Sequence, residues 1–125
     1  MLVEPHVRFQ VLLVEEDSII REELACGLAS RGYAVRAVGT FAEGKDALAS
    51  HPPDLLIAGV RLGAYNGLHL IIRARAQRPT LPAILTTPIA DPALAVEAER
   101  CGALYCADPL SALSELVVAL LQAPR

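Results

Sequence analysis

The run Pro53-Asp54-Leu55-Leu56-Ile57-Ala58-Gly59-Val60-Arg61-Leu62 decides how this chain folds. Four consecutive apolar residues, Leu55 to Ala58, follow a proline and an aspartate and stop at a glycine. An uninterrupted apolar run of this kind suits a parallel strand buried on both faces. Beyond Gly59 a loop runs to Asn66-Gly67, where a new helix begins. In open α/β sheets, ligands bind just past the carboxyl ends of the strands. Position 59 is therefore where this strand would offer a reactive side chain, and glycine has none.

The same strand-helix unit recurs on both sides of that run. Upstream, Val11-Leu12-Leu13-Val14 is a second apolar strand ending in Glu15-Glu16-Asp17. Ser18 is the expected N-cap of a helix with Ile20, Leu24 and Leu28 inward and Gly32 at its end. Tyr33 to Val38 reads as an edge strand. Thr40 caps a second helix, with Phe41 and Leu48 inward, that His51-Pro52-Pro53 terminates. Downstream, Leu68, Ile71 and Ile72 mark the inner side of a third helix, and Arg73, Arg75 and Arg78 its solvated face. Ala83 to Thr87 is a fourth strand. Asp91-Pro92 starts a fourth helix with Leu94, Ala98 and Cys101 inward, closed by Gly102. Ala103 to Cys106 is a fifth strand. After Asp108-Pro109, Ser111 caps a last helix striped by Leu113, Leu116, Val117, Leu120 and Leu121. Five such units predict a doubly wound parallel sheet with helices on both faces.

The chain has 125 residues, 54% apolar and 20% charged, which predicts one domain with one core spanning about residues 9 to 122. Ala123-Pro124-Arg125 reads as the start of a linker. A net charge of −3 and the lack of a basic cluster argue against nucleic-acid binding by this domain alone. Cys26, Cys101 and Cys106 form no C-x-x-C pair, so reduced core thiols in the cytoplasm are expected. The start, Met1 to Gln10, lacks a signal-peptide core, and no apolar run is long enough to span a membrane.

The strand ends carry the candidate chemistry. Glu15, Glu16 and Asp17 follow the first strand, Gly59 ends the third, Thr87 ends the fourth and Asp108 follows the fifth. In a parallel sheet these ends share one rim. Acids on any single loop are ordinarily just solvated, but convergence from two strands points to a site. His6, His51 and His69 are scattered and suggest no metal site.

These pieces resemble the receiver domain of bacterial two-component response regulators over nearly the whole chain. The resemblance rests on residues 11–17, on 53–62 with Gly67 downstream, on Pro82 to Thr87, and on Gly102-Ala103 with Tyr105 to Leu110. It implies a flavodoxin-like (βα)5 fold with strand order 2-1-3-4-5 and a role in phosphorelay signal transduction. In that family an aspartate ending the third strand attacks a phosphohistidine, and two acids after the first strand hold Mg²⁺. A Ser/Thr after the fourth strand and a lysine after the fifth bind the phosphoryl group; that lysine precedes a proline, usually in cis. An aromatic in the fifth strand swings inward on activation. Here Thr87 and Tyr105 match the switch positions, and Glu15 is an accepted variant of the first acid. Glu16 stands where the family prefers the shorter Asp. Gly59 occupies the phosphoacceptor position, and Asp108 occupies the lysine position.

Covalent catalysis needs a nucleophilic oxygen, which glycine lacks. Mg²⁺ wants near-ideal octahedral oxygen ligands, and one usual carboxylate is gone. Two carboxylates about 4 Å apart repel by about 4 kcal/mol at an effective dielectric of about 20. Asp108 therefore works against an incoming phosphate. The expectation is a pseudo-receiver: a non-enzymatic signalling domain with a vestigial pocket of Glu15, Glu16, Gly59, Arg61, Thr87 and Asp108. It would need no cofactor, although Glu15 and Glu16 are the residues that would hold Mg²⁺. Its partner, a protein or a second copy, would dock on the fourth helix, fifth strand and fifth helix, where Val96, Glu97, Glu99 and Arg100 face outward. A fused output domain would lie beyond Arg125.

Three other readings stay open. Asp17, Glu16 or Asp108 could replace the missing acceptor in an active receiver, while Asp54 lies at the wrong end of its strand. The acidic rim could bind a cation or a proton, with internal salt-bridging by Arg61 ranked above a metal. A flavodoxin-like enzyme or nucleotide binder is weakened by the lack of any G-x-G-x-x-G or phosphate-cradling loop after the first strand.

Overall fold

The apolar run around Ile57 becomes the middle strand of the sheet. The computed structural model describes residues 9–122; the linker expected at 123–125 lies outside them. In chain order the elements are β1 (Gln10–Val14), α1 (Ser18–Ser30), β2 (Ala34–Val38), α2 (Phe41–Ser50) and β3 (Leu55–Gly59). Then come β4 (Arg61–Leu62), β5 (Tyr65–Asn66), α3 (Gly67–Gln77), β6 (Ala83–Thr87), α4 (Pro92–Arg100), β7 (Leu104–Ala107) and α5 (Pro109–Gln122). The five-stranded sheet is parallel with order β2-β1-β3-β6-β7. This is the flavodoxin-like order 2-1-3-4-5 once the short antiparallel β4–β5 hairpin is set aside.

Burial follows position in the sheet. β3 and β6 are buried along their whole length, whereas the edge strand β2 exposes Arg36 and Ala37. Side chains alternate between two cores because successive strand residues point to opposite faces. Leu12, Val14, Leu56, Ala58 and Leu85 pack with Ala47, Leu70, Ile71 and Ala98 from α2, α3 and α4. Val11, Leu13, Leu55, Ile57 and Ile84 pack with Leu24, Leu28, Leu113 and Val117 from α1 and α5.

The helix termini differ from expectation in instructive ways. The N-cap of α1 is Asp17, not Ser18: its Oδ1 accepts from the Ile19 and Ile20 N–H groups at 2.9 and 3.1 Å. A carboxylate there also suits the positive end of the helix dipole. Thr40 does cap α2, and the Glu43 carboxylate reaches back to the Gly39 N–H, which holds Glu43 below the ordinary carboxylate value. The last helix starts at Pro109 rather than after Ser111, because the Asp108 carbonyl already accepts from the Ser111 and Ala112 N–H groups.

Other expectations fail at the surface. On α3 the inward stripe is Leu68, Leu70, Ile71 and Ala74, which turns Ile72 outward at 43% exposure. Arg75 and Arg78 are not merely solvated: they donate to the carbonyls of Leu81 and Pro53, in the loops that lead into β6 and β3. Strand β7 lies one residue later than read. Of the three free cysteines only Cys106 is buried, and Cys26 is exposed on α1.

Candidate functional site

The carboxyl ends of β1, β3, β6 and β7 surround a broad cavity of about 1030 Å³, with Glu15, Glu16, Gly59, Thr87 and Asp108 in its lining. The parallel register brings them together: Val14 lies beside Ala58, Gly59 beside Thr86, and Thr87 beside Ala107. The Val60 N–H donates to the Thr86 carbonyl at 2.9 Å, and the Gly67 N–H donates to the Val60 carbonyl at 2.8 Å. Gly59 is thus buried and held from both sides.

Glu15 faces the glycine. A Cβ built on Gly59 would stand 3.0 Å from Glu15 Oε1, so this carboxylate lies across the space into which a side chain at 59 would grow. Its other oxygen accepts the Asp17 N–H at 3.0 Å. Burial pushes the Glu15 carboxyl above its ordinary value of 4.5; the Asp17 N–H opposes this, Asp17 and Glu16 add to the rise, and Arg21 offsets part of it. A raised folded-state value means that folding favours the protonated acid. That stabilisation is complete below the ordinary carboxylate value and is lost as pH rises through the folded-state value. Glu15→Gln is therefore expected to be more stable than the parent at pH 7, with the gain shrinking toward pH 4. Urea unfolding at the two pH values reads this directly.

The other acids are each engaged by nearby donors. Glu16 Oε1 accepts the Gly63 N–H at 2.8 Å, so the longer side chain reaches the β4–β5 hairpin. The hairpin is fixed a second time by Tyr65, stacked on Phe41 at 4.7 Å between ring centroids. Asp108 adopts a positive φ of 51°, donates its N–H to the Thr87 carbonyl, and accepts the Ser111 hydroxyl at 2.9 Å. The Asp108–Pro109 peptide is trans.

The hydroxyls serve the β6–α4 loop. Thr87 Oγ1 donates to the Ile89 carbonyl and accepts the Ile89 N–H at 3.1 Å. The Tyr105 hydroxyl accepts the Asp91 N–H at 2.7 Å. Arg61 lines the cavity and is exposed, but makes no ion pair with Glu15, Glu16 or Asp108; the ion pair among the described residues is Arg100–Glu97 on α4. The salt bridge read from the sequence is absent: those acids instead accept from the backbone N–H groups of Asp17 and Gly63 and from the Ser111 hydroxyl. Also among the described residues, no group of three or more His, Cys, Asp or Glu side chains is placed to hold a metal ion.

One rim residue was missed. Arg21, on α1, donates from Nη1 to the Glu15 carbonyl at 2.8 Å. It lies where a Cβ on Gly39 would be, 2.7 Å from Nη1. The available signals were its position one helical turn after Asp17 and the glycine that follows β2.

Comparison with known proteins agrees with this architecture. The profile of the response regulator receiver domain matches residues 11–120. The chain belongs to that family. This receiver domain is 34% identical over 115 residues to the acid tolerance regulatory protein ActR of Sinorhizobium medicae (strain WSM419), covering 91% of the chain and 59% of ActR. It is 37% identical over 93 residues to the DNA-binding transcriptional regulator NtrC of Escherichia coli (strain K12), covering 74% of the chain and 20% of NtrC. The chain thus spans only part of these curated relatives. Among solved structures, a CheY-like receiver domain protein from Methanospirillum hungatei JF-1 superposes with a TM-score of 0.83 at 25% identity, covering 91% of this chain and 94% of that one. A putative response regulator from Chloroflexus aurantiacus J-10-fl gives 0.83 at 27% identity, covering 93% and 99%. No helix among the described residues is long and apolar enough to cross a membrane.

Proposed function

We propose that this receiver domain is a cytoplasmic pseudo-receiver: it signals by protein contact, without enzymatic activity and without aspartyl phosphorylation. The observation that carries the reading is Glu15 Oε1 lying 3.0 Å from the Cβ position of Gly59. The end of β3 has no nucleophile, and a neighbouring carboxylate borders the space one would occupy. Asp108, in the position where the family keeps a lysine, supplies a negative charge instead of a positive one. Glu15 and Glu16 lack the β3 carboxylate that completes the family's Mg²⁺ site, and Glu16 Oε1 is directed to the Gly63 N–H.

Substitute acceptors are poorly disposed. Asp17 is oriented by the first turn of α1, Glu16 by the hairpin and Asp108 by Ser111, while in-line attack needs an oxygen aligned as one from the end of β3 would be. Asp54 accepts the Gln10 N–H at the opposite end of the sheet. The proposed partner surface is α4–β7–α5, where Val96 and Leu104 are exposed at 50% and 39%. A homodimer or a target protein would dock there, and an output domain would lie elsewhere in a longer chain.

Beryllofluoride with Mg²⁺, a mimic of the aspartyl phosphate, tests this reading by thermal melting. A ligand at about a hundred times its Kd would add about 2.7 kcal/mol. No change in Tm is expected; a rise of several degrees would contradict the proposal.

A further inference from the structure

We infer that the rim cavity is a docking site for a segment of a partner protein that presents a basic side chain flanked by apolar ones. This deepens, and rests on, the reading of a domain that signals by contact without phosphorylation. Seven large hydrophobic residues are exposed among the described residues, and four of them lie in the connections and first helical turns that follow the strands: Ile19, Tyr65, Ile89 and Leu110, at 74%, 60%, 78% and 55% exposure. Tyr65, Ile89 and Leu110 line the cavity itself. They come from three separate connections: the β4–β5 hairpin, the β6–α4 loop and the first turn of α5. Exposed apolar groups gathered around one concavity mark an interaction surface.

Charge selects the occupant. The cavity lining carries Glu15, Glu16, Asp17, Asp91 and Asp108 against one cation, Arg61. Each acid has one oxygen bonded to a backbone N–H or a hydroxyl, as Glu16 Oε1 is to Gly63 and Asp108 Oδ2 is to Ser111. Those bonds leave the second oxygen of each carboxylate for an incoming donor. A phosphate or a nucleic-acid backbone would be repelled. A bare metal ion would make no use of the apolar collar. A lysine or arginine on an apolar segment satisfies both features, its stem against Ile89 and Leu110 and its head among the carboxylates. Arg61, exposed and without an acid partner in the cavity, leaves those carboxylates open to such a segment and lines the same cavity as a like charge opposing it.

The test uses a synthetic amphipathic Leu/Lys helical peptide and its Leu/Glu counterpart, titrated against the whole chain by amide NMR without any phosphodonor. The Leu/Lys peptide is expected to shift Gly59, Gly63, Ile89 and Leu110, and the Leu/Glu peptide to shift none of them. Ile89→Ser and Leu110→Ser, both at exposed positions, are each expected to weaken binding about ten-fold. Asp108→Asn should weaken it more than Glu22→Gln, which removes the same charge from the exposed face of α1. Arg61→Gln should tighten it. Binding that maps elsewhere overturns the proposal. So does parent-like binding by Ile89→Ser, Leu110→Ser and Asp108→Asn, or a Glu22→Gln effect equal to that of Asp108→Asn. Acetyl phosphate treatment, scored separately by mass, keeps the two readings apart. An adduct with cavity binding intact overturns only the absence of phosphorylation, and no adduct with no cavity binding overturns only the docking site.

Discussion

Gly67→Ala is expected to destabilise the domain by about 3–5 kcal/mol, enough to lower Tm by roughly 10–20 °C. A Cβ on Gly67 would sit 1.9 Å from the Gly59 carbonyl oxygen and 2.8 Å from its carbon, so it overlaps backbone rather than a movable side chain. That backbone cannot easily retreat. Gly59 is in register with Thr86, and its neighbour Val60 bonds to both Thr86 and Gly67. The clash would therefore spread into β6 or push α3 off the sheet. Gly63→Ala is the informative control: its φ of +64° makes an L-residue strained, but nothing lies within 4 Å of its Cβ. That change should cost only about 1–2 kcal/mol. Calorimetry on both variants separates close approach from backbone conformation as the reason for a glycine. Equal losses would contradict the tight crossing under Gly59.

The second large effect is expected at Ile57. Ile57→Ala removes a side chain with 0% exposure from the middle strand, where it packs with residues of α1 and α5. The loss should be about 3–4 kcal/mol, lost burial plus the cavity left behind. Ile89→Ala, at 78% exposure, should stay within about 0.5 kcal/mol of the parent. Urea unfolding should show a lower midpoint with unchanged slope for Ile57→Ala. Similar costs for the two isoleucines would mean that β3 is not the centre of the core.

The strands were the most legible part of the chain, and the reason is physical. A parallel strand covered on both faces must be apolar at successive positions, so Leu55 to Ala58 and Ala83 to Leu85 stand out without any alternation to interpret. Helix faces were less legible because one apolar residue too many lets a stripe be drawn on either side. Ile72 was read as inward, and α3 buries Leu70 and Ala74 instead. Capping by Asp17 rather than Ser18 could not be decided from residue types, since both suit an N-cap.

The candidate site was legible as a convergence and illegible as a set of contacts. Glu15, Glu16, Thr87 and Asp108 meet at the rim because parallel strands end together, and that follows from topology alone. What each carboxylate bonds depends on loops that the strand pattern does not determine. Glu16 meets Gly63 across 47 positions of sequence, and Tyr65 meets Phe41 only once the hairpin has folded over the rim. Arg61 was expected to neutralise the acids from short range, whereas the backbone N–H groups of Asp17 and Gly63 already bond Glu15 and Glu16. Arg75 and Arg78 found carbonyls on Leu81 and Pro53, acceptors that no side-chain pattern announces.

The absence of aspartyl phosphorylation is tested most directly by intact-mass measurement after incubating the protein with Mg²⁺ and acetyl phosphate. With Gly59 ending β3 and Asp108 in place of a cation, the mass is expected to stay that of the untreated chain. A stoichiometric phosphoryl adduct, cleaved by hydroxylamine as an acyl phosphate is, would contradict the account.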